Sequence, residues 1–108
     1  MSVQPMRGQV YRVKLGRHDP KPYVVVSNNV RNRALDSVLA VRITTTDKSR
    51  IPTAVGLGSD DPQVGYALAD DIVEVWKDEL AMGEYLGSLA PMTLLQLNVA
   101  LGQALGLP

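Results

Sequence analysis

Apolar and polar side chains alternate with a period of two along Gly8-Gln9-Val10-Tyr11-Arg12-Val13-Lys14-Leu15, the pattern of a half-buried strand. Val10, Arg12 and Lys14 fall on one face, and Tyr11, Val13 and Leu15 on the other. A turn from Gly16 to Lys21 follows, with Asp19-Pro20 as its breaker. The pattern then changes. In Lys21-Pro22-Tyr23-Val24-Val25-Val26-Ser27-Asn28-Asn29 the apolar run is continuous, holds three valines and ends in a polar exit. Stiff β-branched side chains favour a strand here, and the loss of alternation predicts burial on both of its faces. This strand is expected at the centre. Arg17 and His18 precede it and Arg31 and Arg33 follow it, so a rigid element carries two cationic loops suited to an anionic ligand.

Beyond the central strand a loop is expected from Asn28 to Asp36, then a strand from Ser37 to Thr46. In that strand Leu39, Val41 and Ile43 share the inner face and Arg42 takes the opposite one. Ile51–Leu57 reads as a short strand near an edge, because Pro52 cannot donate to a ladder. Gly58–Pro62 is a turn, Gly65–Leu68 and Asp71–Trp76 are two short strands, and Lys77–Ala81 has room for one helical turn. Glu84–Leu89 is the last strand. Pro91, favoured at a first helical position, opens a terminal helix that runs to about Leu105. That helix has no charge, and three of its few polar residues, Thr93, Gln96 and Gln103, fill only a narrow stripe. It must be covered on most sides, one by a small barrel and the rest by a second subunit. Many short strands closed off by one helix predict an α+β fold: a small, curled β-barrel in a single domain, 1–108, with residues 1–6 a flexible tail.

Composition narrows the chemistry. The 108 residues are 45% hydrophobic, enough for one core. Without cysteine there is no disulfide framework and no thiolate metal site, and a single histidine leaves little for an imidazole one. The start lacks the charged-then-apolar plan of a signal peptide. Leu86–Pro108 is broken by Pro91, Gly102 and Gly106, so it reads as a buried helix and not as a membrane span. A cytoplasmic protein is expected. The formal net charge of zero conceals an asymmetry. Residues 1–50 hold ten of the Lys and Arg against three Asp, whereas residues 51–108 hold one lysine against eight acids. Clustered cations supply affinity for phosphate. If the halves interleave in space, the charges mix instead, and the sequence leaves both readings open.

No Gly-rich phosphate loop, metal-ligand cluster or nucleophile elbow is present. What remains is a set of cations and hydroxyls near strand ends: Arg17, His18, Lys21, Thr44, Thr45, Thr46 and Lys48. RNA can be cleaved through its own 2′-hydroxyl with no protein nucleophile. That reaction needs a base at the 2′-OH, an acid at the leaving 5′-oxygen, and donors on the phosphate oxygens that gain charge. Each residue also has a plain reading. A lysine before a strand is usually solvated, a threonine run reflects β-propensity, and a loop histidine is usually exposed. Asp70-Asp71 reads as strand-end solvation, and Trp76 and Tyr85 as core or interface residues.

The order of the segments adds more than any single residue. Arg7-Gly8-Gln9-Val10-Tyr11, then Lys21 to Asn28, then Val41-Arg42-Ile43-Thr44-Thr45, then Gly65-Tyr66-Ala67-Leu68-Ala69-Asp70, then a helix ending in Leu-Gly-Leu, together resemble the MazF/PemK family of toxin endoribonucleases. The resemblance implies an SH3-like barrel with a C-terminal helix, a homodimer, and cleavage of single-stranded RNA without metal or other cofactor. The products would be a 2′,3′-cyclic phosphate and a 5′-hydroxyl. An antitoxin would block the site with an acidic, partly disordered segment. The family's catalytic pair maps onto Lys21 and Thr44, with Thr45 the alternative if the register slips by one. His18 and Arg17 are then candidates for proton transfer or phosphate binding. Arg31, Arg33, Lys48 and Arg50 would hold flanking phosphates, and Asn28 would contact a base edge.

Three departures from the family stand out. Lys21 replaces an arginine, exchanging a planar fork for a point charge. The loop between the first two strands is short where the family often has a longer Gly-containing gate, and Arg42 stands where proline is frequent. Two rival readings remain. One is a barrel of the same type that poisons a protein target such as gyrase, to which the apolar Leu105–Pro108 end lends little. The other is a lapsed RNA-binding module, for which Lys21 is the main argument.

Overall fold

The computed structural model describes residues 3–108. Its elements in chain order are β1 (Gln9–Val13), β2 (Lys21–Val25), α1 (Asn29–Ala34), β3 (Ser37–Thr44), β4 (Ala54–Gly56), β5 (Tyr66–Trp76), α2 (Lys77–Ala81), β6 (Glu84–Ser88) and α3 (Pro91–Leu105). The six strands form one antiparallel sheet in the order β4-β5-β3-β2-β1-β6. The valine run occupies an inner strand, and Tyr23 to Val26 are all buried. Val24 packs on one side of the sheet and Tyr23 and Val25 on the other, as unbroken apolarity requires.

The expected closed barrel is not what the ladders form: β4 and β6 are the two ends of the sheet and do not pair. The sheet is nevertheless strongly curled. A single apolar cluster takes Val10 from β1, Val24 from β2, Val41 and Ile43 from β3, Val55 from β4 and Ala67 from β5. On a flat sheet β1 and β4 would stand about 19 Å apart, at ~4.8 Å per strand. Only curling brings them to one core, and α3 seals it with Leu97, Ala100 and Leu101. A second cluster on the opposite face joins Tyr11, Val13, Tyr23, Val25, Val38, Ala40 and Val75 to Leu80 of α2.

Three local expectations are corrected. The polar stretch after β2 is no simple loop. Asn28 accepts from the Arg31 backbone N–H at 2.8 Å and caps α1, while the fully buried Asn32 donates to the Ser27 carbonyl at 2.9 Å. Ser27 Oγ in turn accepts from the Leu39 N–H at 3.0 Å, which fastens the helix to β3. The two short strands Gly65–Leu68 and Asp71–Trp76 are one strand, β5, with an irregularity in it. Val41 pairs with Ile72 and Ile43 with Ala67, so Arg42 alone faces the four residues Leu68 to Asp71. Asp70 and Asp71 therefore sit inside a strand and not at its end. Trp76 and Tyr85 are 51% and 53% exposed, so neither is a core residue.

Helix α3 spans the expected residues, and Gly106 in the left-handed region ends it. Its N-terminus is capped from a distance. Asp61, in the β4–β5 loop, accepts from the Ala90 N–H at 2.8 Å and the Thr93 hydroxyl at 2.9 Å. A carboxylate on orphan N–H groups at a positive helix end stabilises by about 1 kcal/mol. Here it also fixes the loop to the helix. Arg7 links β2 to α3 by donating to the Val26 carbonyl and the Asn98 side chain. Of the expected tail, Met1 and Ser2 lie outside the described residues, and Pro5 is buried. No helix among the described residues is long and apolar enough to cross a membrane.

Candidate nucleic-acid groove

Strand β2 begins at Lys21, and β3 ends at Thr44. These strands pair antiparallel with Tyr23 opposite Arg42, Val24 opposite Val41 and Val25 opposite Ala40. Extended two residues beyond the Tyr23–Arg42 pair, the same register sets Lys21 across from Thr44. Side chains alternate along a strand, so Lys21, Tyr23, Arg42 and Thr44 share one face. Thr45 lies beyond the last strand residue, with its side chain exposed. The Thr44 hydroxyl accepts from the Thr46 N–H at 3.2 Å, which orients it at the strand end.

His18, Lys21, Tyr23, Arg42, Asp71, Leu15 and Val73 line a depression of about 370 Å³ on this face. His18 sits in the exposed turn between β1 and β2, where its backbone N–H donates to the Leu15 carbonyl at 3.2 Å. A second depression, of about 240 Å³, shares Arg42 and Asp71 with the first and continues to Lys48, Ile51, Thr53 and Asp70. The two depressions meet at Arg42 and Asp71 and make up the candidate groove, between the β1–β2 turn and the β3–β4 loop; Thr44 lines neither of them. Arg50 lines a shallow extension with Asp47, Lys48 and Ser49.

The groove holds its own charge order. Arg42 Nε donates to Asp71 at 3.0 Å, and the Thr53 hydroxyl donates to Asp70 at 2.8 Å. Burial raises the pKa of the Tyr23 hydroxyl, as does the negative charge of Asp71, while Arg42 opposes the rise. Tyr23 is thus neutral at ordinary pH, an O–H donor on the groove floor. At the far rim Asp47 is held below the usual carboxylate range by bonds from the Ser49 backbone and side chain and from the Tyr66 hydroxyl.

Not every cation expected at a site reaches this groove. Arg17 is exposed in the turn beside His18, next to the groove mouth. Asn28, Arg31 and Arg33 lie past the other end of β2, which runs about 13 Å from Lys21 to Val25 at ~3.3 Å per residue. Asn28 is committed to its helix cap, and Arg31 donates to the Ser37 carbonyl at 2.9 Å. Arg33 is exposed on α1. The charge halves do interleave: Arg12 pairs with Glu84 at 3.7 Å and Arg42 with Asp71, in each case joining the cationic half to the acidic one. Lys21, Lys48, Arg17 and Arg50 make no ion pair among the described residues. Also among those residues, no group of three or more His, Cys, Asp or Glu is placed to hold a metal ion.

A model of the PemK-like, MazF-like toxin of type II toxin–antitoxin systems matches residues 6–105. Endoribonuclease MazF1 of Mycobacterium bovis and endoribonuclease MazF4 of Mycobacterium tuberculosis are each 53% identical over 104 residues, covering 96% of this chain and 95% of theirs. A solved mycobacterial endoribonuclease in complex with its cognate antitoxin is 53% identical. It superposes with a TM-score of 0.90 over 96% of this chain and 97% of its own.

Proposed function

The chain belongs to the PemK/MazF family of type II toxin–antitoxin toxins, and on that premise we propose that it is an endoribonuclease that cuts single-stranded RNA in the groove described above. The observation that carries the reading is the register that brings Lys21 and Thr44 to one face at the ends of two adjacent strands. A phosphate between them meets a cation on one side and a hydroxyl on the other. In the reaction the 2′-oxygen attacks phosphorus. The P–O2′ bond forms, the P–O5′ bond breaks, and a 2′,3′-cyclic phosphate and a free 5′-hydroxyl result. The 2′-OH proton leaves to a base, and an acid returns one to O5′. Lys21 and Thr44 stabilise the non-bridging oxygens, where charge builds up. His18, at the groove wall, is the side chain placed to move a proton. Lys48, Arg50 and Arg17 hold flanking phosphates at the two ends of the groove.

The curled sheet is read as an SH3-like barrel left open between β4 and β6. A homodimer covers α3, whose Met92, Leu95 and Val99 form an exposed apolar row at helical spacing. Equilibrium sedimentation is expected to give the mass of two chains, and the mass of one chain would remove the dimer. The antitoxin bound by the mycobacterial relative suggests the same class of partner for this chain.

Incubation with a long single-stranded RNA in EDTA, followed by mapping of the ends, tests the function. Discrete cuts with 5′-hydroxyl ends are expected, and Thr44→Ala should lower their rate on the order of 10²-fold. RNA left intact at every protein concentration would defeat the ribonuclease reading.

A further inference from the structure

Arg42 lies directly across the ladder from Tyr23 and two residues before Thr44 on the same strand face. It is about 7–8 Å, one diagonal step of the sheet, from Lys21, a span that long side chains bridge. Asp71 engages only its Nε, at 3.0 Å. Among the described residues neither terminal nitrogen of Arg42 has a partner. Arg31, by contrast, has both terminal nitrogens bonded to Ser37, and Arg7 has both bonded as well. Asp71 thus fixes the plane of the Arg42 guanidinium and leaves its two-pronged end free in the groove. The ion pair adds little stability, because its side chains are 33% and 41% exposed. Yet β5 departs from regular pairing opposite this one residue, and such irregularities re-aim side chains.

We propose that Arg42 is the phosphate fork of the groove: positioned by Asp71, it binds two non-bridging oxygens of the scissile phosphate that Lys21 neutralises as a point charge. Lysine alone supplies charge without planar, bidentate geometry. The pair Lys21 and Arg42 supplies both, from neighbouring strands. The free fork also matches a guanine edge. The surrounding Lys21, His18 and Thr44 favour phosphate. Asp71 is a positioning residue and touches no substrate. This assignment rests on the ribonuclease reading above.

The test compares wild type with Arg42→Ala, Lys21→Arg, Asp71→Asn and the double variants R42A/K21R and R42A/D71N. Each is assayed for kcat and KM on oligoribonucleotides that span several mapped cuts, with melting temperature as the fold control. Arg42→Ala is expected to lower kcat by about 10²-fold at every cut, the effect of losing one donor to a developing oxyanion. Adding Lys21→Arg should restore at least about tenfold of that, since it returns a fork to the same phosphate. Asp71→Asn should lower kcat several-fold in wild type and not at all in R42A, a non-additivity that a purely structural ion pair does not produce. A kcat within about threefold of wild type for R42A, no rescue by K21R, or a loss confined to cuts beside one base would each overturn the proposal. Should wild type cut no RNA, the ribonuclease reading alone fails. Binding of a 2′-O-methyl RNA then decides: uniformly weaker binding by R42A upholds the phosphate contact, and an unchanged Kd, or no binding by wild type, refutes it.

Discussion

Lys21→Ala is expected to lower kcat for RNA cleavage by about 10³-fold while the melting temperature stays within about 2 °C of wild type. Lys21 opens β2 opposite Val13, is only partly buried, and has no ion-pair partner among the described residues. The fold therefore loses little with it. In the groove its charge is different in kind from that of Lys48 or Arg50. Those two lie on a loop, where the proposed mechanism gives them flanking phosphates, so their loss should raise KM. On the proposed mechanism Lys21, across from Thr44, meets the charge that develops on the pentacoordinate phosphorus, so its loss should fall on kcat. Single-turnover cleavage with saturating protein separates the two effects. A variant that cleaves at the wild-type rate once saturated would reduce Lys21 to a general attraction for RNA and move the chemistry elsewhere in the groove. Lys21→Arg should stay within about tenfold of wild type, since it keeps the charge at the same point.

How far such a site is legible in the sequence depends on the range of the contacts that build it. Period-two alternation marks β1, the valine run marks β2, and Pro91 marks the start of α3, because in each the signal is local. Segment order points to Lys21 and Thr44, and the β2–β3 register, extended to the strand ends, puts both on one face. Helix α1 was missed since its apolar stripe is too short to show a period. Its stability comes from Asn28 at the cap and Asn32 buried against Ser27, two polar residues that read as loop. The unity of β5 was missed for a related reason. The residues opposite Arg42 break alternation, and contacts distant in sequence, such as the Thr53 carbonyl accepting from the Ala69 N–H at 3.1 Å, hold the irregularity in place. The Arg42–Asp71 pair and the Asp61 cap join residues 29 positions apart, beyond the reach of any local pattern.

Gly65→Ala should destabilise the fold by about 3–5 kcal/mol, the sum of a strained backbone and an unrelieved overlap. Gly65 has φ of +123°, which side-chain-bearing residues rarely adopt, and a Cβ there would lie 2.2 Å from the Thr44 carbonyl oxygen and 2.9 Å from its carbon. Both are backbone atoms at the end of β3, where Thr44 pairs with Tyr66, so no side chain can swing aside to make room. For a domain with a net stability of ~5–15 kcal/mol, a loss of this size is a large part of the total. Gly16→Ala is the control. Gly16 also has positive φ, at +61°, but meets nothing within 4 Å, so it should cost only about 1 kcal/mol. Urea unfolding of the two variants measures the difference. The consequence for activity is specific as well, because relieving the overlap shifts Gly65 and the β3 end that carries Thr44 relative to each other. At temperatures where Gly65→Ala is still folded, its kcat should fall toward that of Thr44→Ala, whereas Gly16→Ala should cleave within a few-fold of wild type. A Gly65→Ala protein that unfolds with Gly16→Ala and cleaves like wild type would mean that the β3 end yields freely, and a freely yielding strand end cannot hold the Thr44 hydroxyl on a transition state.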